Sequence, residues 1–408
     1  MGLTFPGAMD TLIFKERDRF NPFRIHMTEF PIYLDNAATT RPHPEVVEAC
    51  LPLLGERYGN PSSLHASGMA AHREIKQARE SLATELGVSP KGVTFTSGGT
   101  ESDNLALRGV FASPRHRGDR LLVSAIEHPA VMETARQLER EGIRLDLLPV
   151  TTQGVVDLAT LERLLEPDVR MVSVMALNNE LGTRQPLEAI GKLIRTKAPR
   201  AVFHTDAVQA FGKISFNWRE CGVGLVSLSA HKLHGVKGAG ALVRIGNLPI
   251  EPVLFGGGQE DGLRSGTENP FAIAAFAHAA RLSVREHQAQ RAEREASHQR
   301  WLAFLAGFSR IRVFRSEAET PYIINFQMTP IPGEVILHHL EAEGLLVSTG
   351  SACSTRKPEP SPVLLAAGFT EQEALSSIRL SFSLFNPPAE TEIAFSAFKK
   401  AMEKLERL

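Results

Sequence analysis

From residue 66 to about 245, short apolar runs rich in Val, Ile and Leu alternate with longer amphipathic stretches, and no other feature of the chain narrows its fold as much. Strands buried on both faces read as continuous apolar runs, and their alternation with helical patterns makes a parallel sheet with helices on its faces. Candidate strands fall at 93–97, 120–125, 144–148, 170–176, 201–204, 224–229 and 239–245, with helices predicted between them, for example over 65–86, 100–111 and 187–197. Ligands of such sheets bind beyond the carboxyl ends of the strands, so residues just after each strand are the first candidates for a site. Between Phe271 and Phe308 the chain turns Ala-, Arg-, Glu- and Gln-rich at helical spacing, which predicts a long helix leaving the first domain. A second domain follows, with strands expected at 311–314, 322–327 and 378–383, helices at 333–343 and 390–405, and a capping box at Thr370 and Glu373.

Charge and cysteine content narrow the function. Lys plus Arg (45) nearly cancels Asp plus Glu (46), which argues against nucleic acid or a membrane surface as partner and for a small substrate. Three cysteines, Cys50, Cys221 and Cys353, are too few for a disulfide framework and too far apart for a CxxC motif. That cysteine usage makes a reducing, cytoplasmic setting the expectation, and no apolar run approaches the roughly 18 residues that span a bilayer. Residues 1–26 precede an internal methionine, Met27, and read either as an arm or as an extension from an upstream start.

Three segments carry chemistry. Thr96 to Asn104 (Thr-Ser-Gly-Gly-Thr-Glu-Ser-Asp-Asn) follows a candidate strand and opens a helix, so its N–H groups converge on an anion, although many such turns are only tight connections. Asp206 lies just past the strand expected at 201–204; a buried carboxylate there needs a cationic partner such as a protonated pyridine, or else caps a helix with Gln209. Lys232, at another strand end between Ser229, His231 and His234, can form a Schiff base with an aldehyde if it is desolvated, or be a solvated surface charge. His231 and His234 lack the further ligands that a metal would require.

A glycine-rich turn, an aspartate after a strand, and a lysine 26 residues further on occur here in one order. In this the chain resembles the class V aminotransferases, pyridoxal-5′-phosphate (PLP) enzymes of fold type I. Further segments narrow the resemblance to the NifS/IscS-like cysteine desulfurases: Tyr33 to Thr40, Tyr58 to His65, Ile126 to Val131, Asn178-Asn179-Glu180, Gly256 to Glu260, Arg264 to Asn269 and Ser348 to Ser354. It runs from about Ile32 to near the C-terminus.

The resemblance implies an α/β fold in which a large PLP-binding domain (42–288) holds a mainly parallel seven-stranded sheet. A smaller α+β domain (27–41 and 289–408) would carry the catalytic cysteine loop. Lys232 would hold PLP through a Schiff base and Asp206 would keep its pyridine nitrogen protonated. His128 would stack on the ring and pass protons, and Gln209 would hydrogen-bond the phenolic oxygen. Gly99, Thr100, Ser229, His231 and, from a second subunit, Thr267 would hold the phosphate. Arg379, helped by Asn36 and Asn179, would grip the substrate carboxylate. The implied reaction converts L-cysteine to L-alanine and leaves a persulfide on Cys353, whose sulfur serves Fe–S cluster assembly or another thiolation. The implied partners are a second copy of the chain and a sulfur-acceptor or scaffold protein.

Cys353 discriminates this reading from its rivals. A lone cysteine is usually buried packing, yet Ser348 to Lys357 is too polar and glycine-containing for a core and reads as an exposed mobile loop. Arg356 and Lys357 would favour the thiolate if folded close to it. Cys50 and Cys221, among packing residues, are assigned to structure. The loop is similar to the long-loop NifS/IscS branch. Departures from relatives are Asp261 at a place commonly arginine, Ser383 near a common glycine, a longer turn at Asn386-Pro387-Pro388, and an end at Leu408 without the tail that docks a scaffold. The alternatives are another class V enzyme, such as a selenocysteine or cystine lyase or an aminotransferase, and a catalytically silent regulator of sulfur traffic.

Overall fold

The computed structural model describes residues 31–246, 248–350 and 359–405, so the 1–26 arm and the Cys353 segment lie outside it. After a short strand β1 (Ile32–Tyr33), the central sheet is built from β2 (Val93–Thr96), β3 (Arg120–Ser124), β4 (Arg144–Leu148), β5 (Val169–Ser173), β6 (Val202–Asp206), β7 (Leu225–Ser229) and β8 (Gly240–Arg244). Their spatial order is β2-β8-β7-β6-β5-β3-β4. Strands β3 to β7 pair in parallel, whereas β8 runs antiparallel to both β2 and β7. Every residue of β2, β3, β6 and β7 is buried, which is why they read as apolar runs. Polar residues close four of these strands at their carboxyl ends: Thr96 in β2, Ser124 in β3, Asp206 in β6 and Ser229 in β7. Burying them is costly unless each finds a partner or a task, and they mark the site.

Two boundaries differ from expectation in an informative way. The strand expected at 201–204 continues to Asp206, because His204, Thr205 and Asp206 stay in register with Leu225, Val226 and Ser227. Asp206 is therefore the last residue of β6 rather than a residue past it, and a series of turns follows in place of a capped helix. The strand expected at 170–176 ends at Ser173. Helix Ala66–Leu86 ends at Gly87, whose φ of +65° suits glycine and whose N–H closes on Ala83 and Thr84 carbonyls.

Helix Pro270–Leu305 runs for 36 residues. Asn269 caps it by accepting the Ala272 N–H at 3.1 Å, and Pro270 occupies the first turn, where no N–H is needed. Its first part (Ala272, Ile273, Phe276, Leu282) joins the core beneath the sheet, and its last (Trp301, Leu302, Leu305) joins a second apolar core. Between Ser283 and Arg294 no side chain is buried. The second core lies against a four-stranded antiparallel sheet formed by β9 (Arg312–Val313), β10 (Ile323–Gln327), β12 (Ser348–Thr349) and β13 (Ser377–Ser381), in the order β12-β13-β10-β9. Strand β11 (Leu345–Leu346) pairs in parallel with β1, and Leu34 packs into this same core. The Thr370–Glu373 capping box forms as expected, with N–H···O distances of 2.9 and 3.2 Å.

Phe398 sits fully buried among the rings of Trp301, Phe304, Phe308 and Phe326, with centroids 5.5–6.4 Å away. Phe398→Ala is expected to cost about 3–5 kcal/mol of stability in chemical denaturation, from lost burial plus the cavity left behind. A loss under about 1 kcal/mol would mean that this cluster collapses freely and does not organise the second core.

Candidate active site

Helix Gly99–Ala112 begins directly after β2 with Gly98 as its N-cap and no capping side chain, so the first N–H groups face outward at the sheet's end. A side chain at Gly99 would bring its Cβ within 2.8 Å of Val208, so only glycine lets the backbone sit this close to the turn after β6. Ser229 faces this helix end from β7, and its buried Oγ has no hydrogen-bond partner among the described residues. Uncapped N–H groups and a waiting hydroxyl together suit an anion. Glu101 is kept out of the way: it accepts the Ser97 N–H at 2.8 Å and pairs with Arg264 at 2.8 Å. Thr267, exposed beyond Arg264, makes no hydrogen bond to Gly99, Thr100 or Ser229 within the described chain.

Asp206 and His128 come together next to this cradle, with Lys232 close enough to shift both of their ionisations. Asp206 accepts the Val208 N–H at 2.8 Å, and burial raises its pKa while His128 and Lys232 pull it back. His128 caps helix Pro129–Arg140 by accepting the Ala130 N–H on Nδ1 at 3.1 Å, which leaves its ring proton on Nε2 when neutral. Its pKa is lowered, by burial first and by Lys232, against the pull of Asp206. Lys232 ends the short turn Ala230–Lys232 after β7 and donates to the Ala38 carbonyl at 2.7 Å and to that of Ala37. Gln209 donates to the same Ala37 carbonyl at 2.8 Å. His231 meets Thr39 Oγ1 at 3.1 Å and is driven neutral, its pKa pushed down to about 4 by burial and neighbouring lysines.

At the other end stands Arg379 of β13, 2% exposed. Its guanidinium donates to Asp35 Oδ1 at 2.7 Å and to the Asn179 carbonyl at 2.9 Å, while its buried Nε has no partner among the described residues. The Asn36 amide is tied into the scaffold, donating to Ser381 O at 2.8 Å, Asn386 Oδ1 at 3.1 Å and Tyr33 O at 3.2 Å. Glu180 accepts the Ser361 hydroxyl at 2.6 Å, and burial lifts its pKa to about 7. Cys50 and Cys221 are both buried thiols with pKa values raised by burial, that of Cys221 to about 11.

Several buried polar groups around the site were not singled out from the sequence. Asp103, Glu127 and Asp206 are buried near one another, and the first two are pushed far above the usual carboxylate range by burial and by Asp206. His204, neutral with a pKa near 3 from burial, bridges Ser173 Oγ at 2.8 Å and Ser227 Oγ at 3.0 Å. Lys213 donates to Gln209 Oε1 at 3.0 Å. Asp103 and Glu127 lie inside quoted motifs, yet nothing in a sequence reports that a side chain is buried.

The residues present fit a phosphorylated pyridine aldehyde. Ser229 Oγ and the helix end suit its phosphate, buried Asp206 suits a protonated ring nitrogen, Lys232 can bond the aldehyde carbon, and Arg379 suits a substrate carboxylate.

The aminotransferase class-V family model matches residues 32–393. A cysteine desulfurase IscS of Dictyoglomus turgidum is 38% identical over 92% of this chain and 95% of its own length. The mitochondrial cysteine desulfurase of Drosophila melanogaster is 39% identical over 97% of this chain and 86% of its own. Among solved structures, a NifS-like protein superposes with a TM-score of 0.86 at 36% identity, covering 93% of this chain and all of that one. The NifS-like protein of Rickettsia africae gives 0.81 at 32% identity, covering 91% and 99%.

Proposed function

The chain belongs to the class-V aminotransferase family, among its NifS/IscS-type cysteine desulfurases, and on that premise we propose that it converts L-cysteine to L-alanine with Cys353 as the sulfur acceptor. The observation that carries the reading is the meeting of Lys232, Asp206 and His128 at the carboxyl ends of parallel strands, beside an uncapped helix N-terminus. PLP, when bound, supplies an electron sink for the bond broken at the substrate Cα.

The chain's own residues do the rest. Gly99, Thr100, Ser229 and His231 would hold the phosphate, with Thr267 contributed by a second copy of the chain. Asp206 holds a proton at the pyridine nitrogen, since a cation there offsets the cost that its burial imposes. Arg379 orients the substrate carboxylate with Asn36 and Asn179 as its supports, and Gln209 reaches the ring oxygen. Lys232 would bond the aldehyde carbon and would be the base that takes the Cα proton. His128 covers the ring and moves protons through Nε2. The Cys353 thiolate then attacks the substrate sulfur: an S–S bond forms, the C–S bond breaks, and its electron pair ends on Cβ, which takes a proton to give alanine.

Residues 42–288 would form the cofactor domain, and residues 27–41 with 289–408 the small domain. The working unit would be a homodimer. Exposed Leu64 and Met69, which line a cleft of about 730 Å³ with Gly257, Gly258 and Asp261, and exposed Phe255 nearby, support this. Among the described residues no helix is long and apolar enough to cross a membrane. The setting proposed is cytoplasmic, with a sulfur-acceptor or Fe–S scaffold protein taking the persulfide sulfur. Incubating the purified protein with PLP and L-cysteine should give alanine, with sulfide equal to it once a reductant is added and a persulfide in its absence. Alanine formation without any persulfide would instead indicate a lyase.

A further inference from the structure

Lys213 is 8% exposed, lies against the site, and has no task in the reaction above. It sits four residues after Gln209 on the turns that follow β6, where Phe211 N–H closes on Ala207 O and Lys213 N–H on Ala210 O. That spacing puts its Nζ 3.0 Å from Gln209 Oε1. The two ends of a glutamine amide have nearly the same size, so the partners decide which end points where. A protonated lysine offers only donors and can therefore meet only the oxygen end. With Oε1 held by Lys213, Nε2 must occupy the opposite end, where one of its N–H bonds goes to the Ala37 carbonyl at 2.8 Å. That carbonyl also accepts from Lys232, so the amide and the reactive lysine are fixed against one atom.

We propose that Lys213 is a positioning residue that locks the Gln209 amide so that its second N–H, rather than its carbonyl, faces the phenolic oxygen of the pyridoxal ring. The inference rests on the cofactor reading above and assigns a residue that the motifs did not. A buried lysine needs a reason, because desolvation is costly and here draws its pKa down to about 7, with Lys232 and Arg379 adding to the effect. The charged and titratable groups that face it are Lys232, His231 and His234 from the turn after β7, and Arg379 from β13. All are cationic or neutral, so no carboxylate accounts for its place. A deprotonated amine gains a lone pair that accepts an N–H as readily as it donates one, so the lock belongs to the protonated lysine.

The test is the pH titration of the visible absorbance band of the PLP-loaded protein, since a hydrogen bond at the ring oxygen sets where that band converts. Lys213→Met should move the midpoint by about one pH unit, a tenfold change in the equilibrium. Gln209→Leu should move it in the same direction, and the double variant should add little to either, as expected for residues acting through one contact. Lys213→Arg, which keeps a donor, should stay near the wild-type midpoint. Should Lys213→Met lower thermal stability and leave the midpoint in place, or should the two single shifts add in full, the inference is overturned. If Lys213→Met does not fold, Gln209→Glu decides: it removes the N–H but keeps an oxygen for Lys213, and an unmoved midpoint sinks the inference. A wild-type protein that takes up PLP without a visible band would refute the cofactor reading itself, a result distinct from a normal band that Lys213→Met fails to shift.

Discussion

Lys232→Ala is expected to leave no borohydride-reducible bond between protein and PLP, and to lower alanine production by at least about a thousandfold, the scale lost with a nucleophile that also moves a proton. Lys232 stands three residues past the buried strand β7, its amine held by the Ala37 and Ala38 carbonyls, and methyl at this place leaves nothing to bond an aldehyde carbon. The neighbouring Lys213 cannot replace it, because its Nζ is engaged by Gln209 Oε1. Lys232→Arg should fail as well, since a guanidinium stays protonated and neither attacks a carbonyl nor accepts a proton. The phosphate cradle of Gly99 and Ser229 is untouched, so the variant should still bind PLP, reversibly and without the lysine-bound band. A reducible bond persisting in Lys232→Ala would place the attachment elsewhere.

Cys353→Ser is expected to abolish sulfur transfer while leaving the cofactor band intact. A serine hydroxyl is far too weakly acidic to attack a sulfur atom at neutral pH, whereas a thiolate is a strong nucleophile. Neither remaining cysteine can stand in: Cys50 and Cys221 are each 1% exposed, and burial holds the Cys221 thiol near a pKa of 11. Mass spectrometry after one turnover should find the added sulfur on the peptide that contains Cys353, with alanine formed by the variant reduced at least about a thousandfold. Label on Cys50 or Cys221, or wild-type alanine output from Cys353→Ser, would reassign the nucleophile and favour a lyase.

Legibility in the sequence followed burial. The fully buried strand Leu225–Ser229 begins one residue after its expected start at 224, and helix Leu187–Lys197 matches its expected bounds because three turns repeat its apolar spacing enough times to be read. The two-residue strands Ile32–Tyr33, Leu345–Leu346 and Ser348–Thr349 were invisible, since a pair of residues has no period. At Asp206 the polar run His-Thr-Asp looked like the end of a strand, and the sheet kept it because His204 finds Ser173 and Ser227 as partners inside. Lys232, Asp206 and the glycine-rich turn were visible from position alone. Arg379, Asn36 and His128 carried roles only through resemblance, because their neighbours lie far away in the chain: Arg379 meets Asp35 across 344 residues. Lys213 was missed for a related reason, its meaning residing in an amide that only the fold brings into register.

One consequence follows from the helix that serves both cores. Arg379 belongs to the sheet packed on the second core and Lys232 to the first, so the spacing between the two side chains depends in part on how Pro270–Leu305 joins them. Between Ser283 and Arg294 no side chain is buried, although Val284 packs against the first core and His287 Nδ1 meets Tyr322 Oη at 2.5 Å. One residue inserted there would turn everything beyond it by about 100° and advance it by about 1.5 Å. This stretch should therefore tolerate exchanges at its exposed positions and no change in the number of its residues: it is a spacer with a phase.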